Sequence, residues 1–177
     1  MKPDLQTRAK AVRLLLLDVD GVLTDGRIVY TDGGDEIKRF HVRDGSGLKI
    51  WKSLGGKTAI LSGRTSKAVE RRAKELGIDA IEQGQPDKAP VFAKLLAKFE
   101  LAPDQVCGVG DDLPDLPVLV RCGLSVAVAD ACPELRAAAN FVTTAAGGAG
   151  AVREAIEWLL KLRGEWDGVV DGFRHES

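Results

Sequence analysis

Four consecutive leucines, Leu14–Leu17, close directly on Asp18-Val19-Asp20-Gly21-Val22-Leu23-Thr24-Asp25-Gly26. A short apolar run that ends at a glycine-containing turn predicts a strand buried on both faces. The two aspartates would be costly inside such a sheet, because a buried unpaired carboxylate loses its hydration. They belong just beyond the strand end, in the crevice where open α/β sheets bind ligands. Taken alone, an Asp-x-Asp-Gly after a strand also fits a plain acidic turn.

Further strands and helices follow in alternation. Residues 27–41 hold two β-prone runs around Thr31-Asp32-Gly33-Gly34 and predict a hairpin. Leu48, Trp51 and Leu54 at helical spacing predict a helix over 45–54, ended by Gly55-Gly56. A buried strand is expected at 57–61, a charged helix at 66–76 and a short strand at 78–82. Residues 87–99 read as a helix with Val91, Leu95 and Phe99 on one face, Asp87 as its cap and Pro90 in its first turn. A strand at 105–110 runs into Asp111-Asp112, and Pro114 and Pro117 confine a short helix at 113–122. Then come a strand at 124–129, a helix at 133–138, a strand at 141–143 and an amphipathic helix at 150–162. Residues 164–177 read as a polar tail with only Trp166, Val169, Val170 and Phe173 to bury. This alternation predicts one α/β domain over 1–177: a doubly wound, Rossmann-like parallel sheet with a projecting hairpin.

In a parallel sheet the carboxyl ends of the strands share one edge. Asp18 and Asp20, Ser62-Gly63-Arg64, Lys88, and Asp111-Asp112 each lie at or just past such an end, so residues far apart in sequence converge there. Convergence favours an enzyme over an acidic turn. Composition narrows the class further. The chain of 177 residues carries 25 Lys plus Arg against 26 Asp plus Glu, a balance that gives no general attraction to nucleic acid or membrane. Cys107, Cys122 and Cys132 have no zinc-type spacing, and an odd count argues against a disulfide framework. With no apolar run long enough to span a bilayer and no hydrophobic leader after Met1, a cytoplasmic location is expected.

Asp18, Asp20 and Asp111 form a hard, oxygen-only set suited to Mg²⁺. A carboxylate beside that ion can attack phosphorus, and a second one two residues later can protonate the leaving oxygen and then activate water. Ser62 and Lys88 would meet the phosphoryl oxygens. Asp112 and Asp115 are open between support of the site and helix capping, and Asp25 and Asp44 between capping and direct contact. Gly147, Gly148 and Gly150 lack the Lys-Ser/Thr of a phosphate loop and are expected to lead into the last helix. Arg71 and Lys74 read as a solvated helix face, and His175 as exposed and without a role.

Asp18-Val19-Asp20-Gly21-Val22, Ser62-Gly63-Arg64, Lys88 and Gly110-Asp111-Asp112-Leu113-Pro114-Asp115, in that order, resemble the motifs of the haloacid dehalogenase superfamily of phosphatases. The resemblance implies that Asp18 is nucleophile and metal ligand. It implies that Asp20 is general acid/base and ligates through its carbonyl, that Ser62 and Lys88 hold the phosphoryl group, and that Asp111 completes the Mg²⁺ site. Further segments, Phe40 to Gly45, Gly84-Gln85, Leu124 to Ala131 and Gly150 to Glu154, are similar to the 3-deoxy-D-manno-octulosonate 8-phosphate phosphatases. That resemblance covers residue 14 to about 163. It implies hydrolysis of a sugar acid phosphate in lipopolysaccharide precursor synthesis, with His41, Val42, Arg43, Asp44, Gly45, Lys49, Arg64 and Arg72 contacting the substrate alongside Asp20 and Lys88. Two positions depart from the family pattern: His41 stands where asparagine is usual, and Lys49 where arginine is usual. Lys49 keeps the charge and loses the bidentate fork for a carboxylate.

No cap domain has room between Asp18 and Ser62 or between Arg64 and Lys88. An uncapped site is open to water and recognises little beyond phosphate. A neighbouring subunit is therefore expected to close the site with its hairpin and its tail, and the resemblance implies a homotetramer. Two other readings stand beside this one. The substrate could be a different sugar phosphate such as a sialic acid 9-phosphate, or the chain could be a binding or regulatory module without turnover. The complete set Asp18, Asp20, Ser62, Lys88 and Asp111 argues against the last.

Overall fold

The computed structural model describes residues 4–175; the side chain of His175, on which the expectation above falls, lies outside the described residues. Helix α1 (Leu5–Ala11) leads into strand β1 (Leu14–Leu17), and a two-stranded hairpin follows, β2 (Val29–Tyr30) and β3 (Glu36–Ile37). Then come α2 (Val42–Ser53), β4 (Lys57–Leu61), α3 (Lys67–Leu76), β5 (Ala80–Glu82), α4 (Lys88–Phe99) and β6 (Val106–Gly110). The chain continues through α5 (Leu116–Leu119), β7 (Leu124–Ala127), α6 (Pro133–Ala138), β8 (Phe141–Val142), α7 (Ala151–Arg163) and α8 (Trp166–His175). The main sheet has the order β5-β4-β1-β6-β7-β8 and every pairing in it is parallel. β1 pairs with β4 on one side and β6 on the other, so chain direction across the sheet reverses at β1. Ligands of open α/β sheets bind at such a reversal. Between β1 and β4 the chain builds only the hairpin and α2, and no cap domain is inserted.

Alternation along β1 divides the core. Leu15 and Leu17 point into a cluster with Trp51, Val69, Ile156 and Leu159, from α2, α3 and α7. Leu14 and Leu16 point the other way, onto Val91, Phe92 and Leu95 of α4. All four leucines are essentially buried, which is why the strand reads as a continuous apolar run.

Three parts of the chain differ from expectation. Helix α1 was not visible in the pattern: Asp4 caps it, accepting from Thr7 N at 2.8 Å, and Ala9 is its one buried residue, too little for a periodic signal. Helix α2 begins at Val42, not Gly45, because His41 Nδ1 accepts from Arg43 N at 3.3 Å and starts the helix one turn earlier. Its glycines hid that turn. A Cβ on Gly45 would sit 2.4 Å from Arg72 Nη2, so the absence of a side chain lets the α3 guanidinium cross α2. The tail is helical as α8 and lies on α7, with Arg153 stacked 5.2 Å over the Trp166 ring. Smaller differences occur in the 113–122 segment, which is a 3₁₀ turn at Leu113–Asp115 followed by the short α5, and in the hairpin, whose strands are two residues each. No helix among the described residues is long and apolar enough to cross a membrane.

Candidate active site

Strand ends place the candidate groups. Asp18 follows β1 and donates its backbone N–H to Val109 O at 3.2 Å, which extends the β1–β6 ladder by one residue and fixes the direction of its side chain. Ser62 follows β4, held by its N–H to Glu82 O at 2.9 Å. Its Oγ accepts from Arg64 N at 3.3 Å, so the hydroxyl hydrogen remains a donor toward the sheet edge. Lys88 is the first residue of α4, placed there by the Asp87 cap on Ala89 N.

The Lys88 ammonium is almost fully buried and donates to Asp18 Oδ1 at 2.7 Å and to Asp115 Oδ1 at 2.6 Å. Asp115 Oδ2 in turn accepts from Asp111 N at 3.0 Å and Asp112 N at 3.5 Å. Asp115 therefore does both things left open in the sequence: it caps the turn after β6 and anchors Lys88. Oxygens of Asp18, Asp111 and Asp115 lie within 4.8 Å of one another.

Three carboxylates around one ammonium leave excess negative charge in a poorly hydrated place. Burial first, and then the charge of Asp115, push the Asp18 carboxyl up to about 6 against the opposing pull of Lys88. Burial, Asp18 and Asp115 push Asp111 up to about 8. Burial acts to lower Lys88, yet Asp18 and Asp115 outweigh it and the net direction is upward. A hard divalent cation fits this deficit of positive charge. Both Asp115 oxygens are engaged, which leaves Asp18 Oδ2 and the Asp111 carboxylate to face an ion. Gly21 supports that arrangement: its φ is +90°, and a Cβ there would lie 2.0 Å from Asp111 Oδ2. The loop before α7 closes over the same turn, with Gly147 N donating to Asp130 Oδ1 at 2.9 Å and Gly148 N to Val22 O at 2.9 Å.

Asp20 stands apart from that cluster. Its carboxylate pairs with Lys38 from the hairpin and faces Arg64 Nε at 3.7 Å. Arg64 also binds Glu36 Oε1 through Nη2 at 2.9 Å. Glu36 and Lys38 were not singled out in the sequence; the one available signal was their i, i+2 spacing on a strand, which puts both on one face.

The other expected substrate contacts are spread around the start of α2. Asp44 is buried and its Oδ1 accepts from Arg153 N at 2.9 Å, tying α2 to the first turn of α7. Its Oδ2 is buried with no hydrogen-bond partner among the described residues, and burial raises its pKa against the backbone N–H groups at the start of α7. Arg72 pairs with Glu75 at 3.3 Å beside Gly45, while Val42, Arg43 and Lys49 are exposed.

Known proteins are similar to most of the chain. Residues 78–156 match the family model of haloacid dehalogenase-like hydrolases. The 3-deoxy-D-manno-octulosonate 8-phosphate phosphatase of Salmonella typhimurium is 48% identical over 167 residues, covering 94% of this chain and 89% of that protein. A crystal structure of the Moraxella catarrhalis phosphatase of the same name, in complex with magnesium, phosphate and KDO, superposes with a TM-score of 0.92 at 42% identity and covers 95% of this chain and 97% of that one. A probable YrbI family phosphatase from Pseudomonas syringae pv. phaseolica superposes with a TM-score of 0.94 at 47% identity, covering 98% of each chain.

Proposed function

The chain belongs to the 3-deoxy-D-manno-octulosonate 8-phosphate phosphatases of the haloacid dehalogenase-like hydrolases, and from that membership we propose how its own residues carry out the reaction. It is a Mg²⁺-dependent phosphoric monoester hydrolase that converts 3-deoxy-D-manno-octulosonate 8-phosphate to the free sugar acid and phosphate, a step of lipopolysaccharide precursor synthesis. The observation that carries the residue roles is Lys88, bonded to Asp18 and Asp115 beside Asp111.

Magnesium, when bound, neutralises phosphate and carboxylate charge in line with its preference for hard oxygen donors. The Asp18 carboxylate oxygen attacks phosphorus; the bond from phosphorus to the C8 oxygen breaks, and that oxygen takes a proton from Asp20. Water then attacks the phosphorus of the aspartyl phosphate and gives a proton to Asp20. The bond to Asp18 breaks, and phosphate leaves with the carboxylate restored. Ser62 and Lys88 hold the phosphoryl oxygens, positions from which most of the rate enhancement of phosphoryl transfer derives. Arg64, Arg72, Arg43, Lys49 and the His41–Gly45 segment serve the sugar acid end.

The enzyme acts in the cytoplasm as a homotetramer whose neighbouring hairpins close the site. Support comes from the hairpin, where Ile28, Val29, Tyr30 and Ile37 are all exposed and where Val29 and Ile37, paired across the strands, share the face turned away from Glu36. Cys107, Cys122 and Cys132 are free thiols, as a reducing compartment requires. A panel of sugar phosphates and sugar acid phosphates, assayed with Mg²⁺ and with chelator, tests the assignment. Preferential turnover of the octulosonate ester with Mg²⁺ supports it; equal turnover of all esters, or preference for a nonulosonate 9-phosphate, overturns it. A fully active monomer by sedimentation overturns the tetramer.

A further inference from the structure

Four charged side chains close a ring at the mouth of the site. Asp20 Oδ1 meets the Lys38 ammonium; that ammonium lies 3.4 Å from Glu36 Oε1; Glu36 Oε1 accepts from Arg64 Nη2 at 2.9 Å; and Arg64 Nε returns to Asp20 Oδ2 at 3.7 Å. The signs alternate around the ring. Two of the four members come from β3 and its first following residue, where period-2 alternation sends Glu36 and Lys38 inward while Ile37 faces out. The Lys38 side chain is 1% exposed, so this pair is not an ordinary solvated surface contact. Asp20 Oδ2 and Arg64 Nε are buried, face each other, and have no hydrogen-bond partner among the described residues.

We propose that Lys38 and Glu36 are positioning residues of the reaction: Lys38 fixes the orientation of the Asp20 carboxylate, and Glu36 fixes the Arg64 guanidinium beside it. The inference rests on the roles given to Asp20 and Arg64 above. The Lys38 ammonium on Oδ1 and the Arg64 guanidinium 3.7 Å from Oδ2 hold the Asp20 carboxylate from two sides, which fixes its plane and its direction. Glu36 engages Nη2 of Arg64 and leaves Nε facing Asp20 Oδ2, so the guanidinium is held between the two carboxylates. A hairpin thus does more than cover the site, because it sets the two groups that face the bridging oxygen and the sugar acid.

The test compares Lys38→Met, Lys38→Arg and Glu36→Gln with wild type on two esters: the octulosonate 8-phosphate, whose alkoxide leaving group needs a proton, and p-nitrophenyl phosphate, whose phenolate does not. The ratio kcat/KM reports the steps through phosphorylation of Asp18. Correct placement of a general acid is worth roughly 10²- to 10⁴-fold, so Lys38→Met is expected to lose about tenfold or more on the alkyl ester and less than about threefold on the aryl ester. Lys38→Arg restores most of the loss. Glu36→Gln raises KM for the sugar acid ester and leaves the aryl ester, which has no carboxylate, unchanged. Equal losses on both esters, or no loss in Lys38→Met, overturn the proposal. Asp20→Asn separates the two levels: if it is inactive on the alkyl ester while Lys38→Met is normal, the acid/base reading stands and the positioning role alone fails.

Discussion

Replacing Asp115 with asparagine should leave stability nearly unchanged while lowering activity. Breaking a buried ion pair commonly costs about 3–5 kcal/mol, because a charge is left without a partner. Here the carboxylate lies 2.6 Å from Lys88 and within 4.8 Å of both Asp18 and Asp111. At an effective dielectric of about 20 the attraction is worth about 6 kcal/mol, and each repulsion about 3.5 kcal/mol, so the two repulsions together match the attraction. Lys88 keeps Asp18 as a partner, and an asparagine oxygen can still accept from Asp111 N. The expected change in unfolding free energy, measured by urea denaturation in chelator at pH 9, where Asp111 is ionised as well, is therefore within about 1 kcal/mol. Lys88, now held from one side, shifts relative to the phosphoryl group, and displacements near 1 Å can cost about 10²-fold in rate. A destabilisation above about 3 kcal/mol would show that attraction dominates the cluster and would refute the reasoning.

The opposite substitution, Lys88→Met, leaves three carboxylates without their cation; it should destabilise the metal-free protein strongly at pH 8 and much less at pH 5, as read by melting temperature. A related outcome concerns wild type. Asp18 and Asp111 are raised to about 6 and about 8 from an ordinary 3.8, so the folded chain holds protons that the unfolded chain has already lost. Stability without metal must then fall as pH rises from about 4 to about 8, and saturating Mg²⁺ should remove that slope; a metal-free melting temperature that rises over this range contradicts it. Gly21→Ala forces a side chain onto a positive φ and against Asp111, so calorimetric Mg²⁺ affinity should drop at least about tenfold, strain at such sites being about 1–3 kcal/mol. Gly34→Ala at the hairpin tip, also at positive φ but with open space around it, should leave Mg²⁺ affinity unchanged.

The legible parts of this chain are those in which local pattern and global role coincide. Leu14–Leu17 read as a buried strand because both faces of β1 are covered, and the same burial requires the Asp18 carboxylate to stand at the strand end. Lys88 could be placed because Asp87 announces the helix that presents it. Helix α8 stayed hidden because Gly168 and Gly172 break an otherwise helical spacing of Trp166, Val169 and Phe173. The function of Asp115 depends on Lys88, 27 residues away, and that of Glu36 and Lys38 on Asp20 and Arg64. No window along the sequence contains both halves of either network. Glycines misled at α2 as well, where close packing of Gly45 and Gly47 against Arg72 and Arg153 keeps them inside a helix.

Covalent catalysis by Asp18 is the claim on which the other roles depend. Enzyme mixed with octulosonate 8-phosphate labelled at phosphorus, in Mg²⁺, and quenched in acid within the first turnover should yield label on the peptide that contains Asp18. Asp18→Asn should yield neither labelled peptide nor free phosphate. Phosphate release by Asp18→Asn at a rate near wild type, or label confined to another residue, would contradict the account.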